Sequence, residues 1–131
     1  MENQLKNILC IDDEEDIVEV AKTSFEVLSD FKVEGAIGGR EGIKKAEELK
    51  PDLILLDVMM PEMDGIATLK ALRENPIFSG TPIVFMTARV QPAEVAHYKT
   101  LGVEGVIAKP FDPESLVREV ENYWRSFHAR K

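Results

Sequence analysis

Five side chains in this sequence are of types that handle phosphoryl groups: the carboxylates Asp12, Asp13 and Asp57, the hydroxyl of Thr87 and the ammonium of Lys109. Each closes a short apolar run. Ile8-Leu9-Cys10-Ile11 precedes Asp12-Asp13, Leu53-Ile54-Leu55-Leu56 precedes Asp57, Pro82-Ile83-Val84-Phe85-Met86 precedes Thr87, and Gly105-Val106-Ile107-Ala108 precedes Lys109. A carboxylate at the end of a buried strand is costly to desolvate unless something compensates it. Two carboxylates about 4 Å apart repel by roughly 4 kcal/mol at an effective dielectric of about 20. Gathered together, Asp12, Asp13 and Asp57 would lose stability or take up protons unless a cation sat among them. Oxygen ligands with positions left open for water suit Mg2+ better than Zn2+. A nucleophilic carboxylate, a metal, a cation and a hydroxyl donor together would stabilise a phosphoryl group on a carboxylate.

These residues need elements that bring them to one place, and the chain alternates strand-like and helix-like stretches. The continuous apolar runs predict strands buried on both faces. Phe31, Val33 and Gly35 alternate with Lys32 and Glu34, which predicts a half-exposed edge strand. A first helix is expected from about Glu15 to Leu28, with Ile17, Ala21, Phe25 and Leu28 on one face. A second opens at Gly38-Gly39 and carries Ile43, Ala46 and Leu49. A third begins near Gly65 with Ile66, Leu69 and Leu72 and ends before Asn75-Pro76. A fourth spans about Ala93 to Leu101, with Gly102 as its stop. The last starts at the N-cap Asp112 with Pro113 behind it and carries Leu116, Val120, Tyr123 or Trp124, and Phe127. Five strand-helix units in a row predict an α/β fold, a doubly wound five-stranded parallel sheet of order 2-1-3-4-5 with helices on both faces. In such a sheet ligands bind at the carboxyl ends of the strands, where the polar residues fall.

The 131 residues suit a single domain, and we expect residues 1–131 to form one. A formal net charge of −8 argues against directly bound nucleic acid or an anionic membrane as the main partner. The single cysteine, Cys10, excludes an intrachain disulfide and fits a reducing compartment. The N-terminus lacks the features of a signal peptide, and no run is long enough to cross a bilayer. A cytoplasmic protein is expected. The plain Met1 and the end at Arg130-Lys131 lean toward a stand-alone chain over a piece of a longer one.

From about Lys6 to Phe127 the sequence resembles the receiver domain of two-component response regulators. The resemblance is carried by Asp12-Asp13, by Asp57 followed by Met60-Pro61 and Asp64-Gly65, by Thr87-Ala88 and by Lys109-Pro110-Phe111. It implies a flavodoxin-like sheet in which Asp57 accepts a phosphoryl group from a phosphohistidine of a sensor histidine kinase or phosphotransfer protein. It also implies Mg2+ held by Asp13, Asp57 and the backbone carbonyl of Met59, with Asp12 acting mainly through a bound water. Thr87 would turn inward to a phosphoryl oxygen, Lys109 would pair with the phosphoryl group or with Asp57, and the Lys109-Pro110 peptide would be cis. Met59 and Arg89 stand where family members tune the lifetime of the acyl phosphate. One position departs from the family: Val106 stands where members usually carry Tyr or Phe, a ring that swings inward with the threonine.

The output would be binding of a downstream protein partner, with the chain a monomer or weak homodimer and not an enzyme acting on an external substrate. The candidate partner surface is helix four, strand five and helix five, near His97, Tyr98, Val106 and Trp124. A Mg2+-dependent phosphohydrolase is a second reading, opposed by Met59, which stands where haloacid-dehalogenase-like phosphatases carry a second Asp. A flavin carrier is opposed by the acidic loop after Ile11, and a mute scaffold by the complete polar set. Cys10 is expected to be a small buried hydrophobe, Lys44-Lys45 a solvated helix face, and His97 and His128 surface residues.

Overall fold

The computed structural model describes residues 5–130. Strands β1 (Asn7–Asp12), β2 (Lys32–Ile37), β3 (Leu53–Asp57), β4 (Ile83–Thr87) and β5 (Gly105–Ala108) alternate with helices α1 (Glu15–Leu28), α2 (Gly39–Leu49), α3 (Gly65–Arg73), α4 (Pro92–Thr100) and α5 (Pro113–Ala129). Neighbouring strands pair in parallel, in the order β2-β1-β3-β4-β5. This is the sheet the alternation predicts. Apart from Asn7 at its outset, every residue of β1, β3 and β4 is buried, because residues apolar on both faces need cover on both sides. β2 alternates between exposed and covered positions and lies at the edge.

Two cores result. One lies between the sheet and α1 and α5, built on Val18, Ala21, Phe25, Leu116, Val120 and Trp124. The other lies under α2, α3 and α4, built on Ala46, Leu69, Leu72 and Tyr98. Cys10 is fully buried in the first, as expected of a small hydrophobe. Burial, and then the charge of Asp12, push its thiol up to about 12.

Helix ends follow the local chemistry. Asp64 caps α3 by accepting from the Ala67 N–H at 2.8 Å, and Asp112 caps α5 by accepting from the Ser115 N–H at 2.8 Å. Gly102 ends the stretch after α4 with a φ of +95°, a conformation that glycine adopts freely. Asn75-Pro76 does more than stop α3: it opens a short 3-10 turn, Pro76–Phe78, that seats Phe78 in the core. The Arg73 guanidinium ties that turn down by donating to the carbonyls of Phe78 and Thr81.

Several expectations need correction. Leu28 and Leu49 are exposed at the last turns of α1 and α2, while Val18 and Ser24 take inward positions on α1. Lys45 is not simply solvated, since its ammonium donates to the Gly35 carbonyl at 2.7 Å. His97 is exposed, but His128 is half-buried, its ring centroid 4.1 Å from that of Trp124. Tyr98 and Trp124, expected on a partner surface, are buried in the two cores. Tyr123 is half-buried, and its hydroxyl donates to the Val106 carbonyl at 3.1 Å. Three of the apolar side chains that remain open, Val20, Val27 and Leu28, line a groove of about 780 Å3 between α1 and the start of α5.

Candidate functional site

The carboxyl ends of β1, β3, β4 and β5 form one rim because the strands are paired nearly level. Ile11 pairs with Leu56, one residue before Asp12 and Asp57, and Thr87 pairs with Ala108, one residue before Lys109. Asp12, Asp13 and Asp57 each bring a carboxylate oxygen within 4.8 Å of the others. Asp12 and Asp57 are buried, and Asp13 is half-exposed.

Lys109 reaches back over the rim into this cluster. Its ammonium lies 2.8 Å from Asp12 Oδ2 and 3.2 Å from Asp57 Oδ1. An ammonium about 3 Å from a carboxylate is attracted by roughly 5 kcal/mol at an effective dielectric of about 20. Burial alone would lower the lysine, but its hydrogen bond to Asp12 and the charges of Asp12 and Asp57 outweigh that and hold it above its ordinary value. One cation among three carboxylates leaves the cluster short of positive charge. Burial first, and the charge of Asp12 second, push the Asp57 carboxyl up to about 6 despite Lys109. An all-oxygen donor set with this deficit fits a hard divalent cation such as Mg2+.

The remaining contacts fix the loops. Asp12 Oδ1 accepts from the Glu14 N–H at 2.9 Å, and Asp57 Oδ1 accepts from the Met59 N–H at 3.4 Å. The Met59 side chain itself is exposed. Thr87 Oγ1 is buried at the same rim and accepts from the Arg89 N–H at 3.0 Å, so the hydroxyl is tied to its own loop. The Lys109-Pro110 peptide is cis, as the resemblance implies.

Two features of the site are absent from the sequence reading, the reach of Glu14 to Lys109 and the tight seat of Gly65. Glu14 places Oε1 3.7 Å from the Lys109 ammonium, a third acidic neighbour for that cation. The acidic run Asp12 to Asp16 was the available signal, but it does not show which of its members turns toward the rim. Gly65 sits so tightly under the β3–α3 loop that a Cβ there would fall 2.3 Å from the Asp57 carbonyl oxygen. In the sequence Asp64-Gly65 marks a helix start and helps carry the resemblance, but it does not show this close approach.

The model of the response regulator receiver domain family matches residues 8–121. The chain is 40% identical over 116 residues to the alkaline phosphatase synthesis transcriptional regulatory protein PhoP of Bacillus subtilis, covering 88% of this chain and 47% of that protein. It is 36% identical over 117 residues to the response regulator Rre1 of Synechocystis, covering 88% of this chain and 50% of the relative. The chain thus spans about half the length of these curated relatives. Among solved structures, the chemotaxis response regulator CheY4 of Vibrio cholerae superposes with a TM-score of 0.85 at 31% identity, over 92% of this chain and 99% of that one. The level rim, the carboxylate cluster with its lysine and the sheet order agree with these likenesses, and the chain belongs to the receiver-domain family of two-component response regulators.

Proposed function

We propose that residues 1–131 form one receiver domain whose Asp57 accepts a phosphoryl group from a phosphohistidine on a sensor histidine kinase or phosphotransfer protein. The observation that carries this reading is the Lys109 ammonium held between Asp12, at 2.8 Å, and Asp57, at 3.2 Å, inside a cluster of three carboxylates.

The chain's own residues divide the work as follows. An Asp57 carboxylate oxygen attacks phosphorus as the bond from phosphorus to the imidazole nitrogen breaks, and the electron pair leaves with the imidazole. Lys109 exchanges one carboxylate partner for a phosphoryl oxygen, and the Thr87 hydroxyl, now an acceptor from the Arg89 N–H, donates a hydrogen bond to another. Asp13, Asp57 and the Met59 carbonyl would hold Mg2+, with Asp12 acting through a water, and the ion would supply positive charge to the transferring oxygens. Glu14 offers Lys109 a third acceptor and so competes with the phosphoryl group for it. The output is binding of a downstream protein, in the cytoplasm, by a monomer or weak homodimer that acts on no external substrate. Among the described residues no helix is long and apolar enough to cross a membrane.

Incubation with Mg2+ and acetyl phosphate should give a phosphoryl adduct by intact mass. The adduct should vanish without Mg2+ and in Asp57→Asn. An adduct that persists in Asp57→Asn would refute the assignment.

A further inference from the structure

Lys109 and a divalent ion call on the same oxygens. The ammonium lies 2.8 Å from Asp12 Oδ2 and 3.2 Å from Asp57 Oδ1, inside the carboxylate cluster that fits Mg2+. Repulsion grows with the product of the charges, so a divalent ion opposes a neighbouring ammonium twice as strongly as a monovalent one does. Lys109 therefore has to give up part of its present seat for Asp57 to serve as a metal ligand. Only 14% of the lysine side chain is exposed, and a largely covered ammonium that leaves one carboxylate needs another acceptor close by.

Glu14 supplies one. Its Oε1 lies 3.7 Å from the ammonium, just beyond a direct hydrogen bond. Asp12 keeps the two side by side: its Oδ2 accepts from Lys109, and its Oδ1 accepts from the Glu14 N–H at 2.9 Å. The Glu14 carbonyl accepts from the Ile17 and Val18 N–H groups at 3.1 and 3.3 Å, so the backbone is held on both sides. The side chain has no such ties. Glu14 is the N-cap of α1, a position that favours Ser, Thr, Asp and Asn, and its carboxylate makes no capping hydrogen bond. It is 65% exposed, and its ion pair is with Lys109.

We infer that Glu14 is a positioning residue that receives Lys109 when Mg2+ occupies the cluster. The ammonium turns from Asp57 to Glu14 and closes the remaining gap, which leaves Asp57 free for the metal. An exposed ion pair is weak, so Lys109 is kept at the rim yet can be released to a phosphoryl oxygen. This role rests on Asp13 and Asp57 holding Mg2+, as proposed for the phosphoryl transfer.

Calorimetry of the full chain with Mg2+ alone tests it, at about 0.15 M salt, where charges more than about 8 Å apart are largely screened. Glu14→Gln should weaken Mg2+ binding about threefold, the scale of an exposed ion pair. In Lys109→Met there is no ammonium to receive, and adding Glu14→Gln should change the affinity by less than about 1.5-fold. Glu15→Gln removes the same charge one residue further on and should match the parent. Urea unfolding should find metal-free Glu14→Gln no less stable than the parent, whereas loss of a cap or of packing would lower it. Unchanged Mg2+ affinity in Glu14→Gln overturns the inference. So does an equal loss with and without Lys109, or an equal loss in Glu15→Gln, since Glu14 would then act only through its field on the ion. The comparison of Glu14→Gln with Glu15→Gln stands even if Lys109→Met does not fold. A parent that takes up no Mg2+ removes the metal site itself, and this role with it.

Discussion

Asp57→Asn should stabilise the metal-free protein at pH 8 by roughly 3 kcal/mol. The Asp57 carboxyl ionises at about 6 in the fold and near 3.8 when unfolded, because burial and the Asp12 charge oppose its ionisation. A group whose folded value is raised contributes stability fully below its unfolded value and loses it as pH rises through the folded one. The metal-free parent should therefore weaken between about pH 4 and 7, and the asparagine variant, neutral throughout, should follow a flatter curve. Lys109 shifts upward as well, so its contribution persists until far higher pH and does not enter this window. Urea unfolding at several pH values, with equal slopes for both proteins, measures the difference. Adding Mg2+ at pH 8 should stabilise the parent and change the variant far less. A parent whose metal-free stability is level across this range would mean that Lys109 already neutralises Asp57 in full.

Gly65→Ala should cost about 3 kcal/mol, at the upper end for overpacking a filled site. The new methyl would meet the Asp57 carbonyl oxygen at 2.3 Å and the Val58 Cα at 2.7 Å. Both are backbone atoms, so no flexible side chain can yield. Relief requires α3 to back away from β3, which would break the hydrogen bond from the Gly65 N–H to the Val58 carbonyl, now 2.9 Å. Asp57 would move with its own carbonyl, so Mg2+ binding should weaken along with stability. Gly102→Ala is the control. A Cβ there meets nothing within 4 Å, and only the φ of +95° is at stake, a cost of about 1 kcal/mol with the site untouched. Thermal or urea unfolding with a parallel Mg2+ titration separates the two.

The rim was legible in the sequence because each polar residue interrupts an apolar run at the same point of its strand, and a parallel sheet brings those points together. The edge position of β2 was legible in its alternation, for the same reason that the inner strands were legible in their lack of one. Helix faces were less so. Leu28 and Leu49 fit the apolar period yet are exposed, because periodicity says which way a residue points and not whether anything lies there. Tyr98 and Trp124 were expected on a partner surface, but they fill space beside Phe85 and within the α1–α5 core, volumes no one-dimensional pattern describes. The reach of Glu14 and the tight seat of Gly65 were missed on similar grounds. One depends on which acid of a run turns back, the other on how closely two backbones approach.

Cys10 gives the molecule an internal clock. It is the one thiol in the chain, fully covered in the strand next to β3, with its ionisation pushed to about 12. At neutral pH almost no thiolate exists there for a maleimide to capture, and no reagent can reach it while β1 stays between its neighbours. Alkylation must wait for the sheet to part, so its rate counts openings, and the count can be compared with and without Mg2+ on the unaltered protein.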